Sequence, residues 1–390
     1  MSEPCVYVVH AIDTEGPLGG DARRNPDGSA EFFDNWDDIL VSLAELTLPA
    51  WRATHCDSFG DLYRFNWFIM DFTGFRTNPK CRVAEYHDTW DRIHSLPVEL
   101  DGRYWHYHVP PANGAGDQWS ESWLTSNECN AVLTRRLLER GAFPPAFRAG
   151  GTIEDDAASR WLEETIPIDY SNRVSHRSVP TDDLYRFNWF GAPDAWGAYH
   201  PSRINFLKPG GMRRVVYRCI DYRSRYNDMT EEIATGCFLA VKADGRPRVL
   251  SFFSHDTRDM RPETYDAVAL LRTVSEATGV PWRSATAVGA HQAVSGTIAK
   301  PLTVSLEQHP AGVRIETHGD VFQRVPFVGA ELRDGRFVRL FPRPIASGRW
   351  ELAAFGDEIV ALGVAVSNVA GEVALQRVRF VDGLMTLVEA

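Results

Sequence analysis

Two carboxylic acids follow the first apolar run of the chain. Asp13 and Glu15 come after the β-branched and aromatic residues 6–9, and Gly16 and Pro17 then end the segment. Because side chains alternate along a strand, both acids leave one face, about 7 Å apart at their Cα atoms. α/β folds bind their ligands at such carboxyl ends of strands. The alternative for a bare D-x-E is a solvated acidic turn.

A pair of histidines has the same spacing. His106 and His108 are two residues apart in the strand-like segment 103–109, so both imidazoles leave one face and can converge on one ion. With a carboxylate from the first strand they make a three-ligand site with open positions, which is typical of catalytic zinc. The alternative is a pair of ordinary buried or surface histidines.

Two further strand ends carry polar residues. Arg148 ends a short apolar run, and the glycines that follow it leave room for a ligand. A salt bridge under a turn is the alternative for this arginine. His255 ends the run 251–254 beside Asp256, which makes it a candidate general acid, although single histidines are more often structural. Asp169, after another predicted strand, is interpreted as a cap or turn residue.

Predicted strands and predicted helices alternate through the first three quarters of the chain, which indicates a parallel sheet, open or closed into a barrel. The predicted strands are 6–9, 62–75, 103–109, 146–148, 166–170 and 248–254. The predicted helices are 36–46, 82–94, 127–140, 153–164 and 262–278. From about Gly296 only short alternating runs remain, which predicts an antiparallel β-sandwich. We therefore expect an α/β domain at 1–295 and a sandwich domain at 296–390.

An octapeptide, DLYRFNWF, occurs at both 61–68 and 183–190. The favoured interpretation is two similar strands in an aromatic core. The alternative is a pair of walls in which Trp67 and Trp189 offer flat faces, and Arg186 a donor, to a polar ring ligand.

Composition excludes several classes of protein. The chain has 390 residues, is 44% hydrophobic and carries a formal charge of −11, which argues against nucleic acid and anionic membranes as partners. No segment is long and apolar enough to span a bilayer. Six scattered cysteines without a C-x-x-C pair indicate reduced thiols. With no signal-peptide pattern at the N-terminus, we expect a cytoplasmic protein.

Five motifs occur in an order that resembles a known family. They are D-T-E-G-P from Asp13, H-x-H-x-P from His106, F-R-A-G around Arg148, D-x-S from Asp169 and F-x-S-H ending at His255. This order resembles the polysaccharide deacetylase family (carbohydrate esterase family 4), and most of all its intracellular, sugar-biosynthetic branch. The resemblance covers about residues 5–295. It implies a distorted (β/α)₇ barrel with one divalent metal ion, usually zinc.

The resemblance also implies roles for single residues. His106 and His108 would be metal ligands, with Glu15 or Asp13 as the carboxylate ligand and the other acid as the base. We assign the base to Asp13 and the ligand to Glu15, although many relatives have adjacent aspartates and an H-x-x-x-H pair. Arg148 would orient the base and His255 would be the general acid, while Asp256 is an alternative orienting residue for that histidine.

The expected function is a metal-dependent N-deacylase (deacetylase). Its substrate would be a small or activated N-acyl amino sugar, or a related N-acylated metabolite. The sandwich is interpreted as a packing or oligomerisation module, which allows a homo-oligomer. Two alternatives stay open. One is a sugar-binding pseudoenzyme of the same fold, and the other is a non-haem iron enzyme that uses the two histidines and one carboxylate.

Overall fold

The computed structural model describes residues 4–17, 32–33, 35–70, 88–109, 123, 128–174, 189–223 and 229–388. Its first part is a sheet of parallel strands with helices packed outside. The strands are β1 (Val6–Thr14), β2 (Phe65–Met70), β3 (Gly102–Tyr107), β4 (Ala146–Ala149), β5 (Ile168–Asn172), β6 (Val215–Arg218), β7 (Ile220–Asp221), β8 (Arg248–His255) and β9 (Trp282–Ser284). The helices are α1 (Trp36–Thr47), α2 (Pro49–Thr54), α3 (Asp88–His94), α4 (Glu128–Arg140), α5 (Asp156–Glu163), α6 (Glu231–Asp244), α7 (Arg261–Thr278) and α8 (Ala287–Ser295).

The segment 215–221 closes the sheet into a barrel. Its first half, β6, pairs with β5, and its second half, β7, pairs with β8. Cys219 separates the two halves, so we count them as one strand. β1 pairs with β2 and β8, and the remaining neighbours follow in chain order. Within the described residues the ring therefore has seven parallel strands, which confirms the predicted (β/α)₇ barrel. β9 pairs only with the first residues of β1.

Alternate residues of the strands build two apolar layers. Val9, Phe68 and Tyr170 pack with other side chains inside the barrel. Val8 and Trp67 pack outside, against the helices. The strands are thus buried on both faces, as parallel strands usually are.

Helix ends follow the expected chemistry. Thr230 caps the start of α6 by accepting a hydrogen bond from the backbone N–H of Ile233, and Gly245 ends that helix in the left-handed region. Gly279 ends α7 in the same way, directly after the predicted end of this helix at residue 278. Among the described residues, no helix is both long and apolar enough to cross a membrane.

The C-terminal part consists of two antiparallel sheets around one apolar core, as predicted. One sheet has the order β10-β11-β15-β14 and the other β13-β12-β16-β17-β18. The strands are β10 (Thr303–His309), β11 (Gly312–His318), β12 (Phe327–Leu332), β13 (Phe337–Leu340), β14 (Arg343–Ala346), β15 (Arg349–Ala353), β16 (Ile359–Ser367), β17 (Val373–Val381) and β18 (Leu384–Leu387).

The outer face of the five-stranded sheet packs directly on α4 of the barrel. A Cβ atom at Gly329 would lie 2.7 Å from the Thr134 side chain, and one at Gly363 would lie 2.9 Å from that of Leu137. These glycines let the helix approach the sheet closely. The barrel and the sandwich therefore share a buried interface.

Candidate metal centre

The candidate site lies at the carboxyl end of the barrel strands. Asp13 is near the end of β1 and Glu15 follows it, while His106 is in β3 and His108 lies just beyond it. β2 lies between these two strands, with Phe68 paired to Asp13 and Met70 to His106. All four side chains have the parity of the residues that point into the barrel.

Three of these side chains bring one donor atom each to a common point. Nε2 of His106 lies 3.1 Å from Nε2 of His108 and 3.4 Å from Oε1 of Glu15, and Nε2 of His108 lies 3.1 Å from the same oxygen. A tetrahedral ion with bonds of about 2.0–2.1 Å has ligand atoms about 3.3–3.4 Å apart. The triad could therefore hold a metal ion. Both imidazoles are buried, and 12% of the Glu15 side chain is exposed.

The end of β4 and the glycine that follows it orient both histidines. Nδ1–H of His106 donates a hydrogen bond to the main-chain carbonyl of Arg148 over 3.0 Å, which leaves Nε2 facing the triad. A Cβ atom at Gly150 would lie 2.4 Å from Cγ and Cδ2 of His108. The sequence predicts that the glycines here leave room for a ligand. The structure corrects this for Gly150, which makes room for the ring of His108.

The charge of Glu15 supports its use as a metal ligand. Burial would raise the pKa of the Glu15 carboxyl, but hydrogen bonds from His106 and His108 lower it well below its usual value. Burial would lower the pKa of His106, but the charges of Asp13 and Glu15 raise it. Glu15 is therefore ionised, as a metal ligand must be. A carboxylate with two imidazoles suits zinc and also iron.

Asp13 lies beside the triad but belongs to a different pair. Its Oδ1 accepts a hydrogen bond from Nε of Arg148 over 2.6 Å, and both side chains are buried. Burial would raise the pKa of Asp13, but the positive charges of Arg148, His106 and His255 lower it. Arg148 is held in turn by the carbonyl of Tyr170, at 2.8 Å. Asp13 is thus an ionised carboxylate in a fixed orientation.

His255 reaches the same site from β8. Its Nε2 lies 3.8 Å from Oδ2 of Asp13 and 4.0 Å from Oε1 of Glu15. About a quarter (27%) of its side chain is exposed, so it is open to a ligand. Burial lowers the pKa of His255 even though both carboxylates favour its charged form. Asp256 does not face this imidazole, because its carboxylate accepts hydrogen bonds from the backbone of Glu15 and Gly16.

The two tryptophans of the repeated octapeptide lie outside this site. Trp67 is completely buried between the sheet and the helices, and its indole N–H donates to Asp101 over 2.8 Å. Trp189 is also buried, packs against Phe206 and donates to the carbonyl of Thr152. Neither indole offers a face to a ligand. The two tryptophans are therefore core residues, and their interpretation as walls of a ligand site is wrong. Arg186 lies outside the described residues.

The two copies of the octapeptide also differ in structure. The last two residues of the first copy, Trp67 and Phe68, are in β2 and fully buried. The last two of the second copy lie in a turn, where Phe190 is 88% exposed. The described part of the second copy is therefore not a strand, contrary to the favoured interpretation of the repeat.

The contacts of two other residues in this region, Asp169 and Phe253, become clear only from the fold. Asp169 lies within β5, where it accepts from the backbone of Ser171 over 2.7 Å and pairs with buried Arg214, so it is a strand residue and not the cap or turn residue that was expected after the strand. Phe253, which the sequence analysis missed, lies under the guanidinium of Arg148, 3.8 Å from ring centroid to Cζ. Its only signal in the sequence is its place two residues before His255.

Comparisons with known proteins add little to this description. No protein-family model matches the chain, and no curated protein matches it. Among solved structures it is similar to a double mutant of the Cellulomonas fimi endo-β-1,4-mannanase, with a TM-score of 0.30 and 12% identity. That match covers 98% of this chain and 93% of the mannanase chain. The likeness is too slight to bear on fold or activity.

Proposed function

We propose that the chain is a metal-dependent hydrolase that removes the acyl group from a small N-acyl amino sugar or a related N-acylated metabolite. One observation carries the proposal. The Glu15, His106 and His108 triad lies directly beside the ionised Asp13, which Arg148 holds in place. A ligand set of this kind with a separate base next to it suits hydrolysis in which a metal and a general base act together on one water.

A divalent ion at the triad, zinc in our proposal, would supply a Lewis acid that polarises the acyl oxygen and lowers the pKa of a bound water. Asp13 accepts a proton from a water molecule while the oxygen of that water attacks the acyl carbon. Because Oδ1 of Asp13 already accepts from Arg148, the proton goes to Oδ2, the oxygen that faces His255. The arginine keeps this base ionised before the reaction.

His255 completes the proton transfer. It is 3.8 Å from Oδ2 of Asp13, close enough for small movements to bring the two groups into hydrogen-bond distance. The carbon–nitrogen bond then breaks, and the proton passes from His255 to the departing nitrogen. The products are a free amine and a carboxylate, acetate for an N-acetyl group, together with one proton that the new carboxylic acid releases. One water supplies the oxygen of the carboxylate, the proton that goes to the nitrogen and the proton that is released.

The substrate class rests on the resemblance of the five motifs to polysaccharide deacetylases. We also propose that the reaction takes place in the cytoplasm, where small or activated sugars rather than wall polymers are available. Reduced thiols fit this compartment, and the described cysteines at 56, 129, 219 and 237 form no disulfide with one another.

A metal determination combined with a substrate screen tests the proposal. We expect about one divalent ion per chain in the purified protein, and release of free amine and carboxylate from one of a panel of N-acyl amino sugars. His106→Ala and His108→Ala should each lose the metal and the turnover. His318→Ala, which changes an exposed histidine of β11, is the matched control. Full metal content in both site variants would refute the proposed site.

A further inference from the structure

Asp256 contacts the metal-ligand segment from the neighbouring strand. Its Oδ1 accepts a hydrogen bond from the backbone N–H of Glu15 over 2.8 Å and from that of Gly16 over 3.2 Å. Its Oδ2 lies 3.2 Å from the Gly16 nitrogen as well. Asp256 is fully buried, so these bonds are shielded from water. Two backbone N–H groups thus converge on one carboxylate, which fixes the direction of the segment from Glu15 to Gly16.

The segment that Asp256 holds contains a glycine that another residue could not replace without strain. Gly16 has a positive φ of 78°, and a Cβ atom there would lie 2.7 Å from the indole of Trp36. The chain therefore leaves β1 between the ring of Trp36 and the carboxylate of Asp256. The ladder between β1 and β8 ends where Asp13 pairs with His255. Beyond that point, the carboxylate of Asp256 connects the segments that follow the two strands.

We propose that Asp256 is a positioning residue, which sets the affinity of the site for metal by fixing the backbone of Glu15. The inference rests on the proposed metal site, because it concerns the direction in which Glu15 presents its carboxylate. It assigns Asp256 to the ligand Glu15 and not to His255. Groups that orient metal ligands typically change metal affinity by about 10- to 100-fold when they are removed.

Two substitutions at this position remove the acceptor oxygens to different extents. Asp256→Ala removes both acceptors, and we expect it to weaken zinc binding by about 10- to 100-fold. Asp256→Asn keeps one side-chain oxygen as an acceptor but replaces the other with an NH2 donor, so its loss should be smaller, about 10-fold. Asp259→Ala is the matched control. Asp259 lies in the same loop but pairs with Ser42 and Arg261, away from Glu15.

Zinc affinity is measured on the full chain by competition with a chromophoric chelator, and the melting temperature is measured without metal. We expect weaker binding in both Asp256 variants and wild-type affinity in Asp259→Ala. A purely structural role would lower the melting temperature of the metal-free protein but leave the affinity of the folded protein unchanged, and that result would overturn the inference. If Asp256→Ala does not fold, the affinity of Asp256→Asn decides.

The failure of this inference can be told apart from that of the proposed function. Zinc binding by the wild type that is lost in His106→Ala supports the site, and equal affinity in the Asp256 variants would then refute the positioning role alone. A wild-type protein that binds no divalent ion would refute both. An equal loss of affinity in Asp259→Ala would also overturn the positioning role, because it would show a general effect of the loop.

Discussion

Arg148 donates a hydrogen bond from Nε to Oδ1 of Asp13 over 2.6 Å, and both side chains are buried. The main-chain carbonyl of the same arginine accepts a hydrogen bond from His106. A single residue of β4 thus fixes the candidate base through its side chain and a candidate metal ligand through its backbone. The two contacts should be separable by substitution, since only one of them uses the guanidinium.

Replacement of Arg148 by methionine should change the base without removing the ligand. The guanidinium lowers the pKa of Asp13, and without it burial would raise that pKa instead. A higher pKa means that Asp13 stays protonated to a higher pH, so the acid limb of the pH profile of kcat/KM should move to higher pH. Metal content should be retained, because the carbonyl of residue 148 is unchanged. An unshifted acid limb would show that the guanidinium does not control the base. Arg135→Met, at a partly exposed pair with Glu139, is the control.

Gly150 should not tolerate even one additional carbon. In Gly150→Ala the Cβ atom would lie 2.4 Å from the ring of His108 and 2.7 Å from its Cα, so the histidine or the backbone must move. We expect zinc affinity to fall by 10-fold or more and the free energy of unfolding by about 1–3 kcal/mol. Gly236→Ala is the matched control, because nothing lies within 4 Å of a Cβ atom there. Chelator competition and urea unfolding measure the two effects, and wild-type zinc affinity in Gly150→Ala would contradict the close packing.

Local patterns predicted most of the barrel and the residues of the site. Runs of β-branched and aromatic residues located β1, β3 and β8, and the polar residue at each strand end gave the site, since parallel strands bring these ends together. The strand 215–221 was missed. Its Val-Val-Tyr run is short, Cys219 separates its two halves, and it follows a long segment rich in turns. That run is nevertheless the signal that could have located the strand that closes the barrel.

Contacts between distant parts of the chain could not be predicted in this way. The octapeptide shows the reason, because the same residues place one phenylalanine in the barrel core and the other in solvent, as Phe68 and Phe190 do. Tertiary packing decides burial where local sequence is identical. For the same reason, neither the contact of Gly150 with His108 nor that of Asp256 with Glu15 has a signature in the sequence.

His10 should make the stability of the barrel sensitive to acid. It is buried in β1 and hydrogen-bonded to Tyr63 and Ser254, and burial lowers its pKa to about 3. The unfolded chain binds a proton at this residue below about pH 6.5 and the folded chain does not, so stability falls as the pH decreases from 6.5 towards 3. Between pH 7 and pH 5, the wild type should lose about 2 kcal/mol more than His10→Gln, in which this position cannot titrate. Urea unfolding at both pH values measures the difference, and parallel losses would contradict the prediction.

The sandwich should be required for a soluble barrel, although the candidate catalytic residues lie outside it. A chain ending near Gly296 would expose the apolar face of α4, where Leu133 and Leu137 are now completely buried, and Phe143, which packs on Phe327. We expect this fragment to aggregate. Any fraction of it that stays folded should still bind zinc, because the candidate ligands lie in the barrel. The full chain should unfold in one transition, because the interface is continuous. Two well-separated calorimetric transitions would show that the barrel is independent of the sandwich. A folded, metal-loaded but inactive fragment would place a residue of the sandwich in the reaction.

Asp13 and Glu15 should respond differently to the same change of a carboxylate into an amide. Glu15 shares the triad with His106 and His108, so Glu15→Gln should lose metal and activity together, since a neutral amide is a poor ligand for a divalent ion. Asp13 pairs with Arg148 instead, and Asp13→Asn keeps its shape and removes its basicity. This variant should retain the metal and lose turnover by about 10²- to 10⁴-fold, the usual contribution of a general base. Metal content and deacylation rate, measured on the same preparations, separate the two residues. Loss of the metal in Asp13→Asn with retention in Glu15→Gln would exchange their roles, and unchanged turnover in both would rule out this end of β1 as the reactive centre.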